Sequence, residues 1–169
     1  MISLRPTVPD DAPILCSIQK EAFYPLYERY RDQGNPCLRD ERDILLRLDN
    51  PSFRYYTIYA QGRIVGGILY RIQGSTPFCP ALPPHEYYLQ RIYIAPDMQG
   101  QHIARNAILL CEKQFPDARR FHVDFPEDLH KNRRCYEGAG FRDTGCRLAV
   151  EPTLTLAAYV KDIKGGTNP

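Results

Sequence analysis

The chain has 169 residues, of which 43% are hydrophobic and 25% are charged, and its formal net charge is +2. These values fit one globular domain and exclude a wholly disordered chain. The near balance of charge argues against binding along a nucleic-acid backbone. The sequence lacks an apolar run of about 18 residues and the apolar core of a secretory signal. We therefore expect a cytoplasmic protein with neither a nucleic-acid nor a membrane partner.

The cysteines and histidines form no recognisable metal or disulfide pattern. Six cysteines and four histidines are scattered along the chain, and no Cys-x-x-Cys pair occurs. A zinc site is therefore not indicated, and a domain of this size can build its core without disulfides. We predict reduced, mostly packed cysteines and no bound metal.

The N-terminal half of the sequence predicts a strand, two helices and a β-hairpin. The acids of Pro9-Asp10-Asp11 suit a helix start, because that end of a helix carries partial positive charge. Apolar residues then recur at helical spacing as far as Leu26. Aromatic and β-branched residues favour strands on either side of a tight turn at Gln61-Gly62. The remaining predicted bounds are 2–5 for the first strand, 39–48 for the second helix, and 53–60 and 63–72 for the hairpin strands.

Two features of the following segment stand out. Gly66-Gly67 lies in the middle of a predicted strand, where glycine weakens the strand unless another group must approach closely. Residues 73–84 hold four prolines and a glycine and are predicted to be the most mobile loop.

The C-terminal half predicts a bulged strand followed by alternating helices and strands. Within residues 86–94, Tyr87 and Leu89 share one parity, whereas Ile92 and Ile94 share the other. Such a one-residue slip indicates a β-bulge. The other predicted elements are helices over 100–114 and 129–137 and strands over 120–125, 141–150 and 154–163. The alternation predicts an α/β fold with mixed strand directions, as one domain over 1–164 with a flexible tail over 165–169.

The segment with most chemical information is a strand, a short loop and a helix that opens at Gly100. The first turn of a helix leaves backbone N–H groups unpaired and carries partial positive charge, so it can bind an anion. A glycine at this point lets a phosphate approach the backbone. The segment is neither a Walker A loop nor a Gly-x-Gly-x-x-Gly fingerprint.

A second cluster lies further along the chain, where Asn132 and Tyr136 occupy one helix face and Gly140-Phe141 follows. Together the two segments resemble the GNAT superfamily of N-acetyltransferases. The family's acetyl-CoA motif, Gln/Arg-x-x-Gly-x-Gly/Ala, reads here as residues 99–104, and the later Asn, Tyr-Glu and Gly-Phe signature reads as residues 132–141. The order of elements also matches over residues 2–163.

The resemblance implies a mixed, mostly antiparallel central sheet flanked by helices, with a bulged central strand. It also implies acetyl-CoA as acyl donor, its pyrophosphate on the loop before the helix and its pantetheine along the bulged strand. The cofactor-binding residues would be Ile92, Tyr93, Ile94, Gln99, Gly100, Gln101, His102, Ile103, Ala104, Arg105 and Asn132.

Two positions depart from the family pattern. His102 stands where the family usually has glycine. Three alternatives are open: the ring crowds the pyrophosphate, it donates a hydrogen bond to the pyrophosphate, or it points to solvent from a helical backbone. Asn132 lies one helical turn before Tyr136, whereas the family's asparagine usually lies about two turns before. Its alternative role is that of a solvated helix residue.

For catalysis, the resemblance implies direct transfer of an acetyl group to an amine, with Tyr136 as the general acid for the leaving thiolate. Glu86 is the first candidate for the base, and deprotonation by bulk water is the alternative. Tyr88 and Gln90 occupy strand positions that the family sometimes uses, but neither is a convincing base. Cys135 is expected to be a packed side chain, not a nucleophile.

The acceptor is expected to be an amine of a small molecule or peptide. Tyr24, Tyr27 and Glu28 are the predicted substrate-binding residues, because an aromatic wall with an acid suits a cationic amine. The alternative function is that of a GNAT-fold protein that binds CoA or another ligand without catalysis. A homodimer is left open.

Overall fold

The computed structural model describes residues 1–165. Its strands are β1 (Ile2–Pro6), β2 (Phe53–Ala60), β3 (Arg63–Arg71), β4 (Glu86–Ile94), β5 (Arg120–Pro126), β6 (Arg142–Glu151) and β7 (Leu154–Asp162). Its helices are α1 (Ala12–Tyr30), α2 (Glu41–Leu48), α3 (Ile103–Glu112) and α4 (His130–Gly138). The predicted boundary between a domain over 1–164 and a tail over 165–169 stays a prediction, because residues 166–169 lie outside the described part.

One seven-stranded sheet runs in the order β1-β2-β3-β4-β5-β7-β6. Its neighbouring strands are antiparallel, except for β4 and β5, which are parallel. The α/β fold with a mixed, mostly antiparallel sheet is therefore confirmed.

The predicted bulge in β4 is also confirmed. Leu69 of β3 pairs with Arg91, but the next residue, Tyr70, pairs with Leu89, so Gln90 is the extra residue. The bulge explains the slip in apolar phase, because it returns Ile92 to the same face of the sheet as Leu89.

The sheet separates two apolar clusters. On one face, α3 packs Ile108 against a cluster that includes Leu89. On the other face, Leu15 of α1 and Ile44 of α2 pack on Leu69. The two central strands, β3 and β4, therefore have helices packed on both faces of the sheet.

The paired glycines of β3 allow the close approach that the sequence predicts. A Cβ on Gly66 would lie 2.1 Å from the Tyr93 carbonyl oxygen, and one on Gly67 would lie 2.6 Å from the Tyr93 hydroxyl oxygen. The Tyr93 hydroxyl is in turn 2.7 Å from the Tyr55 hydroxyl oxygen. Glycine is therefore required for this packing.

The pairing of β4 with β5 covers only three residue pairs, from Glu86 with Arg120 to Tyr88 with His122. Beyond these pairs β5 continues along β7, while β4 continues along β3. Within residues 1–165, the edge of β4 from Leu89 to Ile94 that is turned away from β3 has no strand partner. The two strands therefore part and leave an opening in the sheet.

Candidate active site

A groove of about 700 Å³ includes the last residues of β4. Its other walls come from α1, the loop before α3, the first turn of α3, and α4. Most of the residues predicted to bind a cofactor line this one groove, namely Ile92, Tyr93, Ile94, Gln99, Gly100, His102, Ile103, Ala104, Arg105 and Asn132. Gln101 is exposed and is not part of the lining.

The helix predicted from Gly100 begins three residues later, at Ile103. Gly100 has a φ of 80° and His102 a φ of 59°, both in the left-handed region, which cannot continue a right-handed helix. The segment is therefore a tight loop in front of the α3 N-terminus. Gln99 holds the loop on the end of β4, because its Nε2 donates to the Ile94 carbonyl oxygen at 2.9 Å.

The groove is electropositive around this loop. Arg105, Lys131 and Arg134 line it, and Glu21 is the one acidic residue among the described lining residues. Lys131 also donates to the side-chain oxygen of Gln99 at 3.2 Å, which ties α4 to the loop. Unpaired helix N–H groups and cationic side chains together suit an anionic group such as a phosphate.

His102 takes the conformation for which glycine is best suited. Its left-handed backbone at the N-cap of α3 explains why a glycine is usual at this motif position, since a Cβ is strained there. The idea that His102 sits in ordinary helical backbone is therefore wrong. The side chain is exposed, yet it lines the groove.

Tyr136 lies on the groove and is otherwise enclosed. The residue is 7% exposed, and its ring packs 5.0 Å from the Phe125 ring and 6.0 Å from the Phe141 ring, between centroids. Burial raises the pKa of its phenol, and the nearby Cys135 and Asp124 raise it further. Tyr136 is therefore protonated at neutral pH, as a proton donor must be.

Asp124 is a functional candidate that the sequence analysis does not identify. It lies on β5, and its Oδ2 accepts a hydrogen bond from the Tyr88 hydroxyl at 2.8 Å. Burial raises the pKa of this carboxyl to about 6, although the Tyr88 hydrogen bond opposes the shift. Asp124 directly precedes Phe125, whose ring packs against that of Tyr136, but it is not itself among the described residues that line the groove. An acid between two apolar residues of a short strand was the only sequence signal.

The structure does not bring Glu86 to the groove. Its Oε2 lies 2.7 Å from His122 Nε2, where β4 and β5 are still paired. Glu86 is absent from the described groove lining. The partner imidazole explains its position, and the role of Glu86 as the base stays a prediction.

The three residues of α1 predicted to bind substrate also lie off the groove. Tyr24 is 54% exposed, and Glu28 is exposed as well. The Tyr27 ring is covered by the Arg31 guanidinium, which lies 5.4 Å from the ring centroid. The helix itself forms as predicted, but the side of α1 that carries Tyr24, Tyr27 and Glu28 does not face the groove. The helix instead turns neighbouring residues to the groove, namely Glu21, Ala22, Phe23, Pro25 and Leu26.

Cys135 lines the groove beside Tyr136. Burial raises the pKa of its thiol, and Arg105 and Lys131 only partly oppose this effect. The thiol is therefore protonated at neutral pH and is a weak nucleophile, which supports the expectation of a packed side chain.

The structure records all six cysteines as free thiols. In the described chain, no three His, Cys, Asp or Glu side chains are arranged to hold a metal ion. Within the same residues, none of the helices combines the length and apolarity needed to span a bilayer.

Comparison with solved structures shows the same fold. An acetyltransferase from Thermus thermophilus has a TM-score of 0.72 at 22% identity, over 96% of this chain and 97% of that one. AAC(6')-Ib in complex with ribostamycin and coenzyme A has a TM-score of 0.76 at 18% identity, over 95% and 93%. The ribosomal-protein-S18-alanine N-acetyltransferase from Escherichia coli has a TM-score of 0.70 at 12% identity, over 100% and 99%.

Sequence comparison identifies the family. No curated protein sequence matches the chain. The profile of the acetyltransferase (GNAT) family matches residues 15–141, a range that includes the groove-lining parts of α1, β4, α3 and α4. The chain therefore belongs to the GNAT acetyltransferase family.

Proposed function

We propose that the protein transfers an acetyl group from acetyl-CoA to an amine. The observation that carries this proposal is the single groove that joins the left-handed loop before α3 to Tyr136. An anion site at one end and a buried proton donor at the other match the pyrophosphate and the thioester of an acyl-CoA. The aminoglycoside in the AAC(6')-Ib complex and the alanine in the name of the Escherichia coli enzyme are both amines and support an amine acceptor.

The residues of the groove fit the chemistry of coenzyme A. The N–H groups of the loop and of the first turn of α3 bind the pyrophosphate, aided by Arg105 and Lys131. The free edge of β4 offers backbone donors and acceptors to the amides of the pantetheine arm, in the manner of an added strand.

Asp124 and Tyr136 supply the two proton transfers. The amine nitrogen bonds to the acetyl carbon as the carbon–sulfur bond breaks. The proton lost by the amine passes to Asp124, directly or through the Tyr88 hydroxyl that donates to it. The departing sulfur takes the proton of Tyr136. Because the pKa of Asp124 is about 6, its carboxylate is available to accept a proton at neutral pH.

A second candidate is a protein that binds CoA without catalysis. The observation in its favour is His102, whose strained backbone and side chain occupy the position usual for glycine at the phosphate loop. The two candidates differ in what they require of Tyr136, because binding alone needs no proton donor.

The test is amine-dependent release of free thiol from acetyl-CoA, measured across a panel of amines for the wild type and Tyr136→Phe. We expect turnover to fall about 10²- to 10⁴-fold in the variant, while acetyl-CoA binding changes little. Tyr56→Phe is the matched control, because Tyr56 is also a buried tyrosine but is not part of the described groove lining. Equal turnover of the wild type and Tyr136→Phe contradicts the mechanism, and absence of any turnover favours the binding protein.

A further inference from the structure

A second pocket of about 370 Å³ is lined in part by residues of β4 that precede the groove-lining ones. Its lining consists of Arg71, Ser75, Thr76, Pro77, Tyr88 and Gln90. Arg71 and Tyr88 are cross-strand partners, so their side chains share one face of the sheet. Arg71 follows Leu69 by two residues, so both side chains lie on the same face of the sheet. Leu69 packs against α1 and α2, so the pocket is on the face that carries those helices.

Arg71 brings an unpaired positive charge to this pocket. Among residues 1–165, no carboxylate lies within salt-bridge distance of it. Its one recorded side-chain hydrogen bond there is long, from Nε to the Gln90 side-chain oxygen at 3.4 Å. The guanidinium lies over the Phe53 ring, with its central carbon 4.8 Å from the ring centroid, which restricts the side chain. The remaining N–H groups form a fork suited to a carboxylate or phosphate.

The loop between β3 and β4 supplies hydroxyl groups next to this charge. Ser75 and Thr76 both line the pocket. The backbone N–H of Leu82 donates to the Gly74 carbonyl oxygen at 2.8 Å, which folds the loop back on itself. The Thr76 hydroxyl oxygen accepts from the Phe78 N–H at 3.2 Å, so the hydroxyl proton is left to donate elsewhere.

The pocket adjoins the proposed reaction centre through Tyr88 and Gln90. Tyr88 lines the pocket and also donates to Asp124. Gln90 precedes Ile92, the first groove-lining residue of β4, by two residues, or about 7 Å along a strand. A molecule in this pocket therefore meets Arg71 and Tyr88, and the Tyr88 hydroxyl is in turn hydrogen-bonded to Asp124.

We propose that the acceptor is an amine that also carries an oxyanion, and that Arg71 binds that oxyanion with Ser75 and Thr76. This inference rests on the proposed function and names its substrate class. The amine is directed to Asp124, while the carboxylate or phosphate neutralises Arg71. A purely cationic acceptor would leave the guanidinium unpaired beside another positive charge.

The test compares matched amines with and without an oxyanion in the thiol-release assay. Common amino acids are paired with their carboxamides, and O-phosphoethanolamine is paired with ethanolamine, so that the two arms distinguish carboxylate from phosphate. For the preferred pair we expect wild-type kcat/KM to favour the oxyanion by about tenfold to hundredfold, the range for a charge-assisted hydrogen bond. Arg71→Gln should reduce that preference to within about threefold, and Arg71→Lys should retain part of it.

Arg54→Gln is the matched control and should keep the wild-type preference. Arg54 is exposed on the neighbouring strand β2 and is not part of either described pocket lining. Transfer to amines with no preference for the oxyanion, or an unchanged preference in Arg71→Gln, overturns the inference and leaves the proposed function standing.

A binding measurement keeps the inference separate from turnover. Thermal unfolding is followed with N-acetylated amino acids or N-acetyl-O-phosphoethanolamine, against N-acetylated carboxamides. The oxyanion site is supported if only the anionic compounds stabilise the wild type and this effect is lost in Arg71→Gln. This result stands even if no amine is acetylated, and in that case only the proposed function fails. Equal stabilisation of both proteins, or of neither, overturns the site.

Discussion

Replacing Asp124 by asparagine should make the protein more stable at neutral pH and much less active. The carboxyl is half-buried, and its desolvation raises its pKa from 3.8 to about 6. The asparagine side chain has nearly the same shape, and its amide oxygen still accepts the hydrogen bond that Tyr88 donates at 2.8 Å. The substitution therefore removes the buried charge with little change in packing.

The magnitude follows from the pKa. Because the folded-state pKa lies above the unfolded value, Asp124 stabilises the fold when protonated, and this contribution is lost as pH rises through about 6. The difference between 3.8 and about 6 corresponds to about 3 kcal/mol of unfolding free energy, as an upper bound. Asp124→Asn should therefore exceed the wild type in stability by up to that amount above pH 7, and by little at pH 4.

The assay is urea unfolding of both proteins at several pH values between 4 and 8, with thiol release measured in parallel. Wild-type kcat/KM should rise as pH increases through about 6, and Asp124→Asn should lower it by about 10²- to 10⁴-fold. A stability difference that does not grow with pH, or full activity in the variant, refutes the role assigned to this carboxylate.

Asp117→Asn is a control in which the pKa shift, and therefore the expected change in stability, has the opposite sign. Asp117 also accepts a tyrosine hydrogen bond, from Tyr87 at 2.9 Å, but the side chain is exposed, and hydrogen bonds from His85 and Tyr87 lower its pKa. Its contribution to stability is therefore present at neutral pH and is lost as pH falls. Asp117→Asn should destabilise the protein at pH 7 and leave turnover unchanged.

Three further substitutions test the loop, the sheet and the groove. His102→Gly should raise the unfolding free energy by about 0.5 to 1 kcal/mol in urea titrations, because it removes a left-handed non-glycine residue. Gly66→Ala should lower it by about 1 to 3 kcal/mol, since its Cβ meets the Tyr93 carbonyl, whereas Gly34→Ala, with open space around it, should change it little. Lys131→Gln should weaken acetyl-CoA binding about fivefold to tenfold in calorimetry. Lys113→Gln, outside the described groove lining, should leave the affinity unchanged. An unchanged unfolding free energy in His102→Gly or Gly66→Ala, or an unchanged affinity in Lys131→Gln, contradicts the reasoning for that residue.

The features predicted correctly from the sequence are those encoded in local patterns. The slip between Leu89 and Ile92 marks the bulge, because side chains alternate along a strand and one extra residue reverses the alternation. Gly66-Gly67 marks a close approach, because a strand rarely contains two glycines unless a neighbouring group leaves no room for a Cβ. Gln99, Gly100 and His102 line one groove because they follow one another closely in the sequence, although Gln101 between them does not line it.

The features that could not be predicted depend on contacts between distant segments or on backbone dihedral angles. The start of α3 is misplaced because no pattern reveals that His102 is left-handed. Glu86 and Asp124 are both strand acids, and only the pairing of β4 with β5 shows that one meets His122 and the other meets Tyr88. The side of α1 that faces the groove could not be predicted either. Tyr24 and Phe23 are both aromatic, and only packing decides that Phe23 reaches the groove while Tyr24 is exposed.

Calorimetric titration with acetyl-CoA tests most directly whether the groove binds the donor. The wild type is compared with Ala104→Glu, which places a carboxylate in the groove-lining first turn of α3, and with Ala104→Ser as the neutral control. We predict saturable binding to the wild type and to the serine variant, and binding weakened at least about tenfold by the glutamate, because its charge repels the pyrophosphate. Absence of binding to the wild type, or equal affinity in Ala104→Glu, would contradict the assignment of this groove to acetyl-CoA.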